Sequence, residues 1–252
     1  RMIDIAGAGP PSRGSNPFRV GASAALLGWK RHANLAFTHS AQLDEAGGLA
    51  AAPAIYNANK GVTMTVNPKQ LIVITGGPGS GKSTLVDSLA RAGYARSIEA
   101  GRGVIQDQVA IGGHALPWQD TASFAELMLC WEMRSTTLRQ IWPGRFFFDR
   151  GVPDVAGYLQ LLGLEIPAHV EKAALAFRYH PQVFIAPPWP EIFCQDKERK
   201  QTFEEAVRTY DSMAAIYAKY GYELIELPRT PVEERLRFIL SRLQSGAFGS
   251  AQ

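Results

Sequence analysis

Two apolar rhythms alternate along the chain from residue 70 onward. One is the short unbroken run, as in Leu71-Ile72-Val73-Ile74, Phe146-Phe147-Phe148 and Val183-Phe184-Ile185. Such runs mark strands buried on both faces of a parallel sheet. The other is the helical stripe, clearest in Phe124, Leu127, Met128, Trp131, Leu138 and Ile141, which recur on one side of a helix. In chain order the pattern predicts strands over 70–75, 94–98, 146–148, 182–186 and 222–227. It predicts a helix from residue 82 that Gly93 stops, then helices over 101–111, 121–142, 153–162, 168–179, 202–219 and 231–244. Thr230 is placed to cap the last of these, with Pro231 at its first position and Glu233 at its third. Strands alternating with helices give an α/β fold, a parallel five-stranded sheet flanked by helices. Ligands of such sheets sit beyond the carboxyl ends of the strands, which directs attention to the loops after residues 75, 98, 148, 186 and 227.

Residues 1–63 carry neither rhythm. Alanine, glycine, serine and proline dominate, as in Ala6-Gly7-Ala8-Gly9-Pro10-Pro11-Ser12, and only 18–29 holds a short apolar pattern. A segment of this kind buries too little surface to offset its ordering entropy. It reads as a disordered leader, an organellar transit segment, or sequence upstream of a start at Met64. The third reading is favoured, because Met64-Thr65-Val66-Asn67-Pro68-Lys69 leads directly into the first strand. The expected organisation is an extension over 1–63 and one domain over 64–252.

The first loop carries the chemistry. Gly76-Gly77-Pro78-Gly79-Ser80-Gly81-Lys82-Ser83 fits G-x-x-x-x-G-K-[ST], a phosphate-binding loop between a strand and a helix. Its glycines let successive N–H groups converge on phosphate oxygens. Lys82 is expected to reach the β- and γ-phosphates, the Ser83 hydroxyl to ligate Mg²⁺, and the helix opening through Thr84 to offer its positive end.

Phe146-Phe147-Phe148-Asp149 has the form of the strand whose aspartate holds Mg²⁺ opposite such a loop. Arg150 follows, where a mechanical ATPase places a glutamate to polarise water. The Asp149-Arg150 pair resembles a motif of small nucleoside and nucleotide kinases. There the carboxylate accepts the acceptor's proton and the arginine steadies phosphoryl charge. Glu99 and Arg102 end the second strand on the acceptor side, where Arg102 either meets an anionic acceptor or forms a local ion pair. Trp118 either stacks on a ring or packs. The charged segment 189–201, with Asp196-Lys197-Glu198-Arg199-Lys200 at its centre, reads either as a lid, with Arg199 or Lys200 closing on the γ-phosphate, or as a solvated, salt-bridged helix start. Arg229 and Pro231, after the last strand, are placed to touch adenine.

Charge and composition narrow the partners. Six of the 26 Lys/Arg and three of the 23 Asp/Glu lie in residues 1–63, leaving 20 of each in 64–252. The domain therefore shows no electrostatic footprint for nucleic acid. Cys130 and Cys194 are far apart and in no metal spacing, which suits a reducing cytoplasm. The five histidines form no ligand pair, and no apolar stretch approaches the roughly 18 residues of a membrane span.

On these residues, 69–244 resemble a family of small bacterial P-loop proteins labelled AAA-type or predicted ATPases. Their relatives include nicotinamide riboside kinases and other nucleoside-kinase-like proteins. The resemblance rests on the loop 76–83, Glu99 with Arg102, Leu116-Pro117-Trp118, and Phe148-Asp149-Arg150-Gly151. It rests also on Asp196 to Phe203 and on Leu227-Pro228 with Pro231-Val232-Glu233-Glu234-Arg235. It implies a kinase-like P-loop core with a lid, binding ATP and Mg²⁺ and acting on a small-molecule phosphate acceptor whose identity it does not fix. A nucleotide-dependent switch with slow hydrolysis and a protein partner is the competing reading. A guanine-specific GTPase lacks its Asn-Lys-x-Asp signature after the loop.

Overall fold

The computed structural model describes residues 55–57, 62–64, 67–138, 144–193 and 201–245. Two three-residue strands, Ile55–Asn57 and Val62–Met64, form a small sheet of their own. From residue 67 onward the chain builds an α/β layer structure. Its strands are β1 (Leu71–Gly76), β2 (Ala95–Arg96), β3 (Phe146–Asp149), β4 (Gln182–Ala186) and β5 (Glu223–Glu226). All pair in parallel, in the order β2-β3-β1-β4-β5. Seven helices accompany them among the described residues. They are α1 (Lys82–Arg91), α2 (Ala100–Ile111), α3 (Thr121–Leu138), α4 (Val152–Leu161), α5 (Ala168–Ala176), α6 (Phe203–Lys219) and α7 (Val232–Ser245).

The unbroken apolar runs are explained by what lies on each face. Side chains of a strand alternate between faces, and here both faces are covered. Leu71, Val73, Phe148 and Val183 enter one core with residues of α2 to α6. Ile72, Ile74, Phe147 and Phe184 enter the other, with Leu85 and Leu89 of α1 and Ile239 and Leu243 of α7. Past their first residues the central strands are buried throughout, so those positions stay apolar until the strands' carboxyl ends. There Ile74 lies in register with Asp149, and Gly76 with Ala186.

The second strand is shorter than 94–98. Tyr94 turns its ring edge-on to Phe147 at 5.3 Å and Ile98 is 60% exposed, so only Ala95 and Arg96 remain in the ladder. The fifth helix ends at Ala176 rather than 179. Tyr179 is buried and its hydroxyl accepts from the Val152 amide at 3.1 Å, an inward role that breaks the helical path. The third helix is described to Leu138, and the expected continuation over 139–142 lies outside the described residues. Its stripe is also mixed: Phe124 and Met128 are buried, Leu127 turns outward, and the buried Glu132 and Thr136 join the inner side. Thr230 does not cap α7. The amides of Glu234 and Arg235 donate to the Pro231 carbonyl at 3.0 and 3.1 Å, so the helix starts one residue later. The Thr230 hydroxyl is left buried without a hydrogen-bond partner.

Candidate functional site

The loop after β1 is shaped by close backbone approach. Gly76 has φ +126°, and a Cβ there would collide with the Ala186 carbonyl of β4. Gly81 has φ +76° and caps α1 without any side-chain hydrogen bond. The first-turn amides of α1 thus face outward with no capping side chain, at the positive end of the helix. Lys82 is 4% exposed. Its Nζ folds back over the loop, donating to the Gly77 carbonyl at 2.5 Å and to Ser80 Oγ at 3.3 Å.

Because β3 lies directly beside β1, the end of β3 delivers Asp149 to the start of α1. Ser83 Oγ donates to Asp149 Oδ2 at 3.0 Å, and the Asp149 amide donates to Ser97 Oγ at 3.0 Å. The other carboxylate oxygen, Oδ1, is buried with no hydrogen-bond partner. Burial first, then the nearby Glu99 carboxylate, raise the Asp149 pKa to about 6, against the opposing pull of Lys82, Arg150 and the Ser83 bond. A hydroxyl, a carboxylate and one orphaned carboxylate oxygen suit a hard cation of the Mg²⁺ kind, which takes one or two protein oxygens and completes its shell with water and substrate phosphates. Among the described residues no group of three or more histidine, cysteine, aspartate or glutamate side chains is arranged to hold a metal ion by itself.

Arg150 has φ +74°, and among the described residues it is the one non-glycine in the left-handed region. Such a conformation costs about 1–2 kcal/mol for a residue with a Cβ. Two buried carboxylates hold it there. Nε donates to Glu99 Oε1 and Nη1 to Asp154 Oδ1, both at 3.1 Å. Asp154 in turn accepts from Thr75 Oγ1 at 2.5 Å, Tyr217 OH at 2.6 Å and the Gly151 amide at 2.9 Å. The guanidinium expected to steady phosphoryl charge therefore faces two carboxylates. Arg102 Nε stands 4.0 Å from Glu99 Oε2, so the local ion pair is the arrangement present, and Arg102 also reaches the cavity described next.

A cavity of about 390 Å³ runs from Pro78–Thr84 to the loops after β4 and β5. Arg102, Trp189, Phe193, Pro231 and Arg235 line it, with Thr230 beside them. Of the two residues placed at adenine, Pro231 is in the wall. Arg229 is exposed and spends its Nε on the Pro188 carbonyl at 3.1 Å. Trp118 is 64% exposed and does not pack into the core, where Leu116 takes the inward place in that turn. Arg199 lies outside the described residues.

Two site-proximal residues receive no site role from the sequence. Glu132 of α3 is buried, with Oε2 unpartnered. Burial, then Asp154 and Asp149, push its pKa well above the carboxylate range, with Arg150 opposing. Arg235 of α7 is 3% exposed. A charge on an otherwise apolar helix face was the available signal for both.

The comparisons with known proteins come to the same fold. A family model described as an AAA domain matches residues 71–235. No curated protein matches the chain. Among solved structures, the NadR protein in complex with NR is similar at TM-score 0.52 and 17% identity, over 73% of this chain and 51% of that one. NadR with NAD and AMP-PNP gives 0.51 and 16%, over 68% and 49%. Deoxyadenosine kinase from M. mycoides with dCMP and dCDP gives 0.49 and 14%, over 69% and 99%. The chain spans about half the length of the NadR structures it matches. At these identities the likeness to the NadR structures establishes the architecture alone, a P-loop kinase-like sheet with flanking helices.

Proposed function

The chain belongs to the AAA-domain family, whose model covers residues 71–235, and from that premise we propose that it is an ATP- and Mg²⁺-dependent phosphotransferase acting on a hydroxyl of a small molecule. The observation that carries the reading is the Ser83–Asp149 pair at 3.0 Å with Asp149 Oδ1 left open, set beside the buried Lys82. Together they supply what phosphoryl transfer asks of a protein, which is positioning and compensation of charge.

In this reading the nucleotide's phosphates lie along 76–84. Lys82 leaves the Gly77 carbonyl to meet them, and the amides at the start of α1 hold their oxygens. Ser83 and Asp149 would hold Mg²⁺, which would supply charge neutralisation at the phosphates. The acceptor enters from the side of β2 and α2. Glu99 or Asp149 takes the hydroxyl proton as the acceptor oxygen approaches phosphorus. Arg150, held by Glu99 and Asp154, fixes Glu99 and the strand end, and Arg102 stands at the cavity edge toward the acceptor. Arg199 completes the set in the proposed lid. The domain of this chemistry is 64–252, and the free thiol of Cys130 suits a reducing, cytoplasmic setting.

Transfer of labelled γ-phosphate from ATP to a panel of nucleosides, vitamins, sugars and aminoglycosides tests the reading and names the acceptor class. Label on one acceptor is the expected result. Phosphate release that no acceptor changes would overturn it.

A further inference from the structure

Arg235 is the most deeply buried arginine of the cavity wall, and its charge meets no anion among the described residues. Among the described residues no carboxylate forms an ion pair with it. Its one hydrogen bond runs from Nη1 to the backbone carbonyl of Ser80 at 3.0 Å, while Nε is buried with no partner. The guanidinium lies 5.9 Å from the centre of the Trp189 ring, at the outer limit of a cation–π contact, which supplies no counter-charge. The other cations at this cavity, Lys82 and Arg102, add like charge.

The position is also wrong for a cation in helix terms. Arg235 sits in the first turn of α7, whose amides at 234 and 235 both point to Pro231. That end of a helix favours acidic residues, and Glu233 and Glu234 occupy it as expected. Arg235 therefore bears three penalties at once: burial, lack of a counter-charge and the positive helix end. Burial alone already lowers its affinity for the proton. A buried charge without a partner is costly, and apolar replacement of buried charges is often neutral or stabilising.

What the arginine touches gives the buried charge a use. Nη1 would stand 2.9 Å from a Cβ on Gly81, so the guanidinium rests against the phosphate loop itself, in the same cavity as the first turn of α1. We infer that Arg235 is a phosphate contact of the bound nucleotide, its missing counter-charge being the nucleotide's own phosphates. The inference rests on the nucleotide-binding reading above and extends it to a residue outside the loop motif. In the ligand-free protein the arginine is a liability; with nucleotide bound it becomes half of an ion pair, with charge-assisted hydrogen bonds.

Thermal unfolding and calorimetric titration of the whole chain, as wild type, Arg235→Met and Arg235→Lys, test this with Mg²⁺ and either inorganic tripolyphosphate, ATP or adenosine. Without ligand, Arg235→Met is expected to melt at or above the wild type, by up to about 4 °C. Its affinity for both tripolyphosphate and ATP should fall about 10- to 100-fold, adenosine binding should be unchanged, and Arg235→Lys should regain part of the loss. A ligand-free Arg235→Met that melts below the wild type, or fails to fold, would make the residue a strut for the Ser80 carbonyl and overturn the inference. Equal tripolyphosphate affinity in wild type and Arg235→Met would overturn it as well. A wild type that binds neither tripolyphosphate nor ATP would instead remove the nucleotide-binding reading on which it stands.

Discussion

Ser83 and Asp149 lie 66 positions apart in the chain, yet Ser83 Oγ donates to Asp149 Oδ2 across 3.0 Å. The contact exists because β1 and β3 are neighbours in the sheet, with Ile74 in register with Asp149. One strand thus ends in the phosphate loop and the adjacent one ends in a carboxylate aimed at the same point.

Asp149→Asn keeps the shape and the Ser83 partner but removes the charge. Turnover is expected to fall about 10²- to 10⁴-fold, while nucleotide affinity at saturating Mg²⁺ changes little. Steady-state kinetics beside equilibrium titration separate the two. A variant that keeps its turnover would take Asp149 out of the chemistry.

Gly76→Ala places a Cβ against the Ala186 carbonyl in a left-handed backbone. Relief requires β1 and β4 to part at their ends. A loss of about 3 kcal/mol or more is expected, read from urea unfolding, together with loss of nucleotide binding.

Arg150→Gly relieves the strain of φ +74° by about 1 kcal/mol. It also strips Glu99 and Asp154 of their shared cation, and breaking a buried pair costs about 3–5 kcal/mol. The ion pairs win, so the variant should be less stable by roughly 2–4 kcal/mol. Net stabilisation in urea would show that strain, rather than pairing, governs this residue.

Glu132 gives a pH test with a definite sign. Its folded pKa is raised well above the 4.5 of the free side chain. Between those two values the native state holds a proton that the unfolded state has released. The contribution is fully present below about 4.5 and is lost as pH rises toward the folded value. Glu132→Gln has no proton to lose, so its stability relative to wild type should grow as pH rises from 5 to 8. Parallel stability curves for the two proteins would contradict this.

The phosphate loop, the strand–helix alternation and the acidic strand end were legible in the residues, because each rests on local rules. Glycine φ freedom, apolar period and cap chemistry act within a few residues of one another. Trp118 and the Thr230 cap were not legible, since each depended on which neighbour took the inward place: Leu116 in one turn, the Pro231 carbonyl in the other. Arg150 looked like a free cation in the sequence because Asp154 and Glu99 are brought to it only by the turn after β3 and by the packing of α2.

The sequence by itself determined the loop 76–83, the buried strands and the residues at their carboxyl ends, since backbone conformation and apolar spacing are properties of short segments. Tertiary structure decided the order β2-β3-β1-β4-β5, and with it everything that depends on distance. It set Asp149 against Ser83, enclosed Arg150 between two acids, buried Glu132 among carboxylates and laid Arg235 on the phosphate loop with no acid of the described residues paired to it. These outcomes follow from which strands become neighbours and which helix covers each face, and no local pattern of side chains encodes a contact between residues 155 positions apart.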